Sequence, residues 1–356
     1  MTDISSGPLE DRIVSLIQTD GPMPVSLYMT LCLHDPQHGY YATRPGLGQD
    51  FITAPETSQI FGELLGLWAA HEWKALGAPS EFVLAEAGPG RGVLMEDALR
   101  ASRRVAGFHE ALKLCLIEAS PALRNGQAHR LAPHAPQFFD EVSDLPDGPL
   151  ILIANELLDC LPARQFVSSD RGWHERMVGL NKDGRLQFVI GPKIQTPIGL
   201  PTPDRAGLEV DLQPGLETLI DQFVYRGSPF RALFIDYGPG EGTPGDTLRS
   251  YRSGQQIDSL EAAGTSDLTV DVDFARLSSV ALKAGLSVSE AVPQGQFLMS
   301  LGAQARLDQL VNTDPDRAEQ IFEGADQLIN PAKMGERFKV ICISSAGLAP
   351  PAALPV

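Results

Sequence analysis

Hydrophobic spacing divides the chain into stretches of distinct character. Between Leu9 and Leu33, the apolar positions Ile13, Leu16 and Ile17, then Leu27, Met29, Leu31 and Leu33, suit short amphipathic helices broken by Gly21-Pro22 and Pro24. Over residues 58–76, Ile60, Phe61, Leu64, Leu65, Leu67 and Trp68 share one face and Gly77 follows, which predicts a longer helix. From Glu81 onward the pattern changes to short apolar runs separated by helical stretches, at 82–86, 112–118, 149–154, 232–236 and 338–344, with a weaker run at 137–140. Runs without polar alternation fit parallel strands covered by helices on both faces. The expected fold class is therefore α/β.

Between Leu161 and Pro229 the pattern alternates instead, at 164–168, 173–180 and 185–190, with Asp183-Gly184 as a hairpin turn. This predicts a β insertion at about 162–229, after the fourth strand of the sheet. A Pro/Gly-rich piece at 196–207 follows, and residues 316–328 read as a helix before Asn330-Pro331, within a helical segment at about 294–335. The division expected is an N-terminal helical cap and lid over 1–80, a core over 81–346, and a disordered Pro-containing tail over 347–356. The turn- and aromatic-rich segments at 34–41 and 49–56 read as a lid or as plain packing.

Charge narrows the function. The chain has 28 Lys and Arg against 45 Asp and Glu, a net charge of -17, and no basic block, so nucleic acid is not an expected partner. No apolar run approaches the roughly 18 residues of a membrane span. The N-terminus carries Asp3, Glu10 and Asp11 without a basic region and apolar core, so a cytoplasmic location is expected. Cys32, Cys115, Cys160 and Cys342 are scattered with no Cys-x-x-Cys pair, and read as reduced core thiols. The seven histidines show no ligand spacing, and no metal is expected.

The most informative junction is Glu86-Ala87-Gly88-Pro89-Gly90-Arg91-Gly92, where a buried run ends in a glycine loop and opens a helix. Such a junction lets a ligand approach the backbone and points helix N–H groups at it. Its Gly-x-Gly-x-Gly spacing departs from the dinucleotide pattern, since Val93 falls on the third small position, and Gly92 is not followed by the Lys of a phosphate loop. A tight turn with no ligand is the alternative reading of the glycines. The next strand ends in Glu118, where an acid can meet both hydroxyls of a ribose, although a solvated strand-end charge reads the same. Asn155-Glu156-Leu157-Leu158-Asp159 and Asp236-Tyr237-Gly238 stand at further strand ends, where open α/β sheets place their crevice. Helix capping is the plainer reading of Asp159 and Asp236.

These residues resemble a known family, the MidA-type methyltransferases, to which a mitochondrial complex I assembly methyltransferase belongs. The matching motifs are Asp35-Pro36…His38-Gly39-Tyr40-Tyr41, Asp50-Phe51-Ile52-Thr53-Ala54-Pro55-Glu56…Phe61-Gly62-Glu63, Gly88-Pro89-Gly90-Arg91-Gly92, Asn155-Glu156-Leu157-Leu158-Asp159…Leu161-Pro162, Asp236-Tyr237-Gly238, Asp267-Leu268-Thr269…Val272-Asp273-Phe274 and Met334-Gly335-Glu336-Arg337-Phe338. They run in order over about residues 20–345. Gln49, Ala87 and the segment 253–263 depart from the family pattern.

The resemblance implies a class I, Rossmann-like fold and S-adenosyl-L-methionine as cofactor. By matching position, Gly88, Gly90 and Gly92 admit its amino acid part, Glu86 holds its ammonium directly or through water, Glu118 holds the ribose, and Asn155 belongs with the cofactor group. It also implies an arginine acceptor on a respiratory complex I subunit, with room for a homodimer. A guanidinium calls for carboxylates, and Glu156, Asp159, Asp236, Asp267 and Asp273 are available. Glu156 and Asp267 are favoured for contact with the acceptor, with Asp159 beside them. Tyr40, Tyr41 and Phe51 can wall the cation or fill core. A cofactor-binding assembly factor with little catalysis is the alternative, and a nicotinamide-dependent oxidoreductase a weaker one.

Overall fold

The computed structural model describes residues 7–43, 53–196, 200, 202–240 and 245–356. The chain divides into two compact units, one drawn from residues 1–51, 159–216 and 243–271, the other from 52–158, 217–242 and 272–356.

The latter unit is built on an eight-stranded sheet. Its strands in chain order are β1 (Phe82–Ala87), β2 (Leu112–Ile117), β3 (Gln137–Phe139), β4 (Leu150–Asn155), β5 (Phe230–Tyr237), β6 (Ser287–Val288), β7 (Val292–Pro293) and β8 (Phe338–Ser344). They lie in the order β6-β8-β5-β4-β1-β2-β3, with β7 also paired to β8. Strands β1 to β5 are mutually parallel, and register places Glu86 beside Leu116 and Ile153, and Asn155 beside Ile235. The carboxyl ends of β1, β2, β4 and β5 therefore lie along one edge of the sheet, as the spacing of apolar runs predicted.

β8 corrects that reading in one respect. It runs antiparallel to β5, pairing Asp236 with Lys339 and Tyr237 with Phe338. An uninterrupted apolar run shows that a strand is covered on both faces, but it carries no direction.

The helix expected at 58–76 is α1 (Gln59–Ala75), with the Ser58 hydroxyl accepting from the Ile60 amide at its start. It belongs to the sheet unit, so the domain boundary expected at residue 80 moves to 51/52. The cause is its close packing on α2 (Val93–Ser102): a Cβ on Gly66 would lie 2.2 Å from the Ala98 carbonyl oxygen, and one on Gly62 would lie 2.8 Å from that of Leu94. Trp68, Trp73, Phe82 and Phe108 fill the core beside these helices. Burying each such ring contributes about 1.5–3 kcal/mol.

The tail over 347–356 was expected to be disordered and is instead packed. Ala352 accepts from Trp68 Nε1 at 3.3 Å and donates its amide to Glu72 Oε1 at 2.9 Å, while Leu354 is buried. Glu72 in turn faces Arg231 at 3.0 Å, with both side chains at most 1% exposed. Its prolines lower the entropy lost on ordering, and the buried ion pair gives its backbone partners.

In the other unit, Gly172–Leu180 pairs with Met23–Pro24, Arg164–Ser169 and Leu186–Lys193, and Arg164–Ser169 pairs with Glu209–Leu212, all antiparallel. The hairpin at Asp183-Gly184 forms as expected, with Gly184 at φ 78°. A second sheet joins Arg249–Arg252 to Gln255–Ile257 and Asp267–Thr269. The unit thus extends past the expected insertion to take in residues 1–51 and 243–271. Helices Pro8–Asp20 and Val25–His34 bury Leu9, Ile13, Ile17, Tyr28, Met29 and Cys32 against Val178, Leu268 and Val270. Gly21, at φ 88°, makes the break between them.

Candidate functional site

The site grows from the end of β1. Gly88, Gly90 and Gly92 all take left-handed φ values, 68°, 51° and 77°, which only glycine adopts without strain. The Gly88 amide donates to the Ile117 carbonyl at 3.0 Å, and the Gly92 amide closes onto Pro89 O at 2.7 Å before α2 begins. A Cβ on Gly88 would approach Leu157 Cδ1 to 3.2 Å. The loop is a bare backbone cradle at a helix N-terminus, able to receive a polar ligand.

Glu86, two residues earlier, is 3% exposed, and its Oε2 is buried with no hydrogen-bond partner among the described residues. Burial, reinforced by the charge of Glu118, raises its pKa to about 8. A buried carboxylate left without a partner is the group expected where a cation docks. This orphaned oxygen and the bare cradle together fit the ammonium and carboxylate of an amino acid moiety.

At the end of β2, Glu118 Oε1 accepts from the Ser120 amide at 2.8 Å, and Oε2 accepts from Gln127 Nε2 at 3.1 Å. Burial raises the pKa of Glu118 against these bonds, which lower it. The same Gln127 amide donates to Gly90 O at 2.7 Å. Gln127 sits on α3 (Pro121–Arg130), fully buried, and its Oε1 has no partner among the described residues. Sequence reasoning missed it. The signal was present: Leu123, Gln127 and Leu131 recur at the spacing of one helical face, and an amide on an apolar face calls for a reason.

At the end of β4, Asn155 is 8% exposed, donates Nδ2 to Glu156 Oε1 at 2.9 Å, and has no partner for Oδ1 among the described residues. Glu156 takes φ 52°, uncommon for a side-chain-bearing residue, and its amide donates to Ile235 O at 2.9 Å. Its Oε1 also accepts from the Ala54 amide at 3.4 Å. Asp236 is fully buried and spends its oxygens on backbone, Oδ2 on the Leu158 amide at 2.7 Å and Oδ1 on the Tyr237 amide at 2.9 Å. It fixes the loop that carries Glu156. Asp273 caps the helix Phe274–Lys283 through the Arg276 amide at 2.8 Å.

The structure thus brings Glu86, the three glycines, Glu118, Asn155 and Glu156 to one edge of one sheet. Asp159 and Asp267 belong to the other unit. There Asp159 Oδ2 accepts from the Thr269 hydroxyl at 2.8 Å, and Asp267 Oδ1 accepts from the Tyr41 hydroxyl at 3.4 Å. Burial raises the Tyr41 pKa well above its ordinary value, and Asp267 adds to this. Tyr40 is core and meets Tyr41 edge to face, whereas Phe51 lies outside the described residues. Cys32, Cys115 and Cys342 are buried and Cys160 half-buried. Burial raises the thiols of Cys32 and Cys342 to about 12 and that of Cys115 to about 11. Among the described residues no group of acids, histidines and cysteines is arranged to hold a metal, and no helix is long and apolar enough to cross a membrane.

A largely parallel sheet with a glycine loop after one strand and an acid after the next defines a nucleotide-cofactor-binding α/β protein. The sequence model of the family described as "Putative S-adenosyl-L-methionine-dependent methyltransferase" matches residues 64–292, and the chain belongs to that family. A zebrafish (Danio rerio) relative named "Protein arginine methyltransferase NDUFAF7, mitochondrial" is 35% identical over 365 residues, covering 93% of this chain and 86% of its own. The human protein of that name is 34% identical over 371 residues, covering 94% and 83%. A crystal structure from Burkholderia thailandensis, of a protein bound to S-adenosyl-homocysteine, is 25% identical and superposes with a TM-score of 0.84 over 98% of this chain and 96% of that one.

The resemblance drawn from the order of motifs is borne out, as are the class I fold and S-adenosyl-L-methionine as cofactor; the nicotinamide alternative falls. The expected cytoplasmic location is corrected, because the arginine methyltransferase relatives at 34–35% identity are named as mitochondrial proteins. The acidic character of the first residues was no guide to compartment.

Proposed function

We propose that this chain is a protein arginine N-methyltransferase whose acceptor is an arginine-bearing subunit of respiratory complex I, met during assembly. The observation that carries the reading is 34–35% identity along 93–94% of the chain to relatives named protein arginine methyltransferase.

When bound, S-adenosyl-L-methionine supplies an electrophilic methyl group on a sulfonium centre. The residues of the chain then have to align, shield and hold charge. Glu86 takes the ammonium and gives up its proton as the cation arrives. Gly88, Gly90 and Gly92 let the backbone close on the amino acid part, and Glu118 accepts the ribose hydroxyls. Asn155 offers Oδ1, which has no partner among the described residues, to a cofactor donor. A guanidinium, with a pKa above about 12, cannot be deprotonated beforehand, so a carboxylate must orient it and draw charge onto the nitrogens that do not react. We assign this to Glu156, held at its angle by Asn155 and the Asp236-anchored loop. Asp159→Asn and Asp267→Asn are each read on their own for loss of methyl transfer. A homodimer is part of the same reading, checked by mass in solution.

The test incubates the protein with methyl-labelled S-adenosyl-L-methionine and isolated complex I subunits. The expected result is label on an arginine, lost in Glu156→Gln while S-adenosylhomocysteine binding persists. Label on another residue type would overturn the arginine reading. Cofactor binding with no transfer to any subunit would favour an assembly factor with little catalysis.

A further inference from the structure

Two groups of the cofactor site are joined by a side chain that no motif includes. The glycine loop approaches from β1 and Glu118 from β2, and backbone pairing, which ends with the Gly88 amide on the Ile117 carbonyl, does not reach from Gly90 to the Glu118 carboxylate. One amide does: Gln127 Nε2 donates to Gly90 O at 2.7 Å and to Glu118 Oε2 at 3.1 Å. A primary amide has two N–H donors, and both are used. The amide's other polar atom, Oε1, is buried without a partner among the described residues, which is costly unless a donor arrives with a ligand. The side chain is fully buried, and the Cβ position of Gly92 lies 3.7 Å from its Cγ, so α3 packs against the loop at this point.

We propose that Gln127 is a positioning residue for the cofactor: its amide locks the glycine loop to the ribose-side carboxylate, and its unpartnered carbonyl oxygen accepts a donor that comes with the cofactor. The proposal rests on the placement of the cofactor over the glycine loop given above. The chemistry is specific to an amide. A carboxyl of the same shape keeps the acceptors, loses the donors when ionised and sets a like charge against Glu118. When protonated, it regains one donor and loses the repulsion.

The test measures S-adenosylhomocysteine affinity by calorimetry across pH for the wild-type protein, Gln127→Met and Gln127→Glu, together with amide hydrogen exchange over residues 88–93 in the ligand-free proteins. Gln127→Met is expected to bind about tenfold more weakly or worse and to exchange faster over the loop. Gln127→Glu is expected to bind weakly at high pH and to recover toward wild type as pH falls, a profile that lost packing alone would not produce. Wild-type affinity in Gln127→Met, or equal loss in both variants at every pH, would overturn the proposal. Failure of the wild-type protein to bind S-adenosylhomocysteine would instead overturn the placement on which it rests.

Discussion

Glu118 raises the proton affinity of Glu86 across two adjacent strand ends, on top of a burial that by itself favours the neutral acid. A carboxyl shifted from 4.5 to about 8 binds its proton more tightly in the folded protein than in the unfolded chain. The stability this gives is whole below about pH 4.5 and is lost as pH rises through about 8. Glu86→Gln is therefore expected to melt higher than the wild type above pH 8 when ligand-free. An incoming ammonium reverses the preference, so S-adenosylhomocysteine should bind more tightly as pH rises toward 8 and release a proton below it. Titration calorimetry in buffers of differing ionisation heat counts that proton; zero release would remove Glu86 from contact with the ammonium.

Filling the cradle should remove the site without removing the fold. Gly90 takes φ 51°, and Gly90→Val adds a branched side chain where the cofactor is placed. Loss of S-adenosylhomocysteine binding with the circular dichroism spectrum retained is the expected outcome. Tight binding by this variant would show that the cofactor lies elsewhere.

The buried pair Glu72–Arg231 should behave as a unit. Arg231→Met leaves the Glu72 charge buried beside the backbone of Ala352, at an expected cost of about 3–5 kcal/mol read from denaturant unfolding. The double variant Glu72→Met with Arg231→Met should recover most of the loss, because burying two apolar groups avoids an unpaired charge. A single variant as stable as wild type would show that the tail is not anchored there.

Asp236 has a structural task that is separable from chemistry. Asp236→Ala removes an acceptor from the Leu158 and Tyr237 amides, which should cost about 1–3 kcal/mol and loosen the loop that carries Glu156. Cofactor affinity should change less than methyl transfer. Equal loss of both would place Asp236 in the cofactor site itself.

Much of this architecture was legible in the sequence, because buried strands write themselves as short apolar runs and a βα turn writes itself in glycine. Phe82–Ala87, Leu150–Asn155 and the loop at Gly88–Gly92 were readable for those reasons. The direction of Phe338–Ser344 was not, since an apolar run reads the same both ways. The packed tail was hidden because its partners, Trp68, Glu72 and Arg231, lie far away in sequence. Asp236 and Asp273 looked like candidate acids because residue type does not reveal whether the oxygens are already spent on backbone amides. Gln127 was overlooked for the opposite reason: an uncharged amide draws no attention until its two acceptors are seen to come from two different strands' ends.

The most direct test of the account is a thermal melt of the wild-type protein alone, with S-adenosylhomocysteine, and with NADH. A ligand at about 100 times its dissociation constant adds about 2.7 kcal/mol of stability, a readily measured shift. A rise with S-adenosylhomocysteine, no rise with NADH, and loss of the rise in Glu118→Ala are the expected results. A rise with NADH, or an unchanged rise in Glu118→Ala, would contradict the site built here from Glu86, the glycine loop and Glu118.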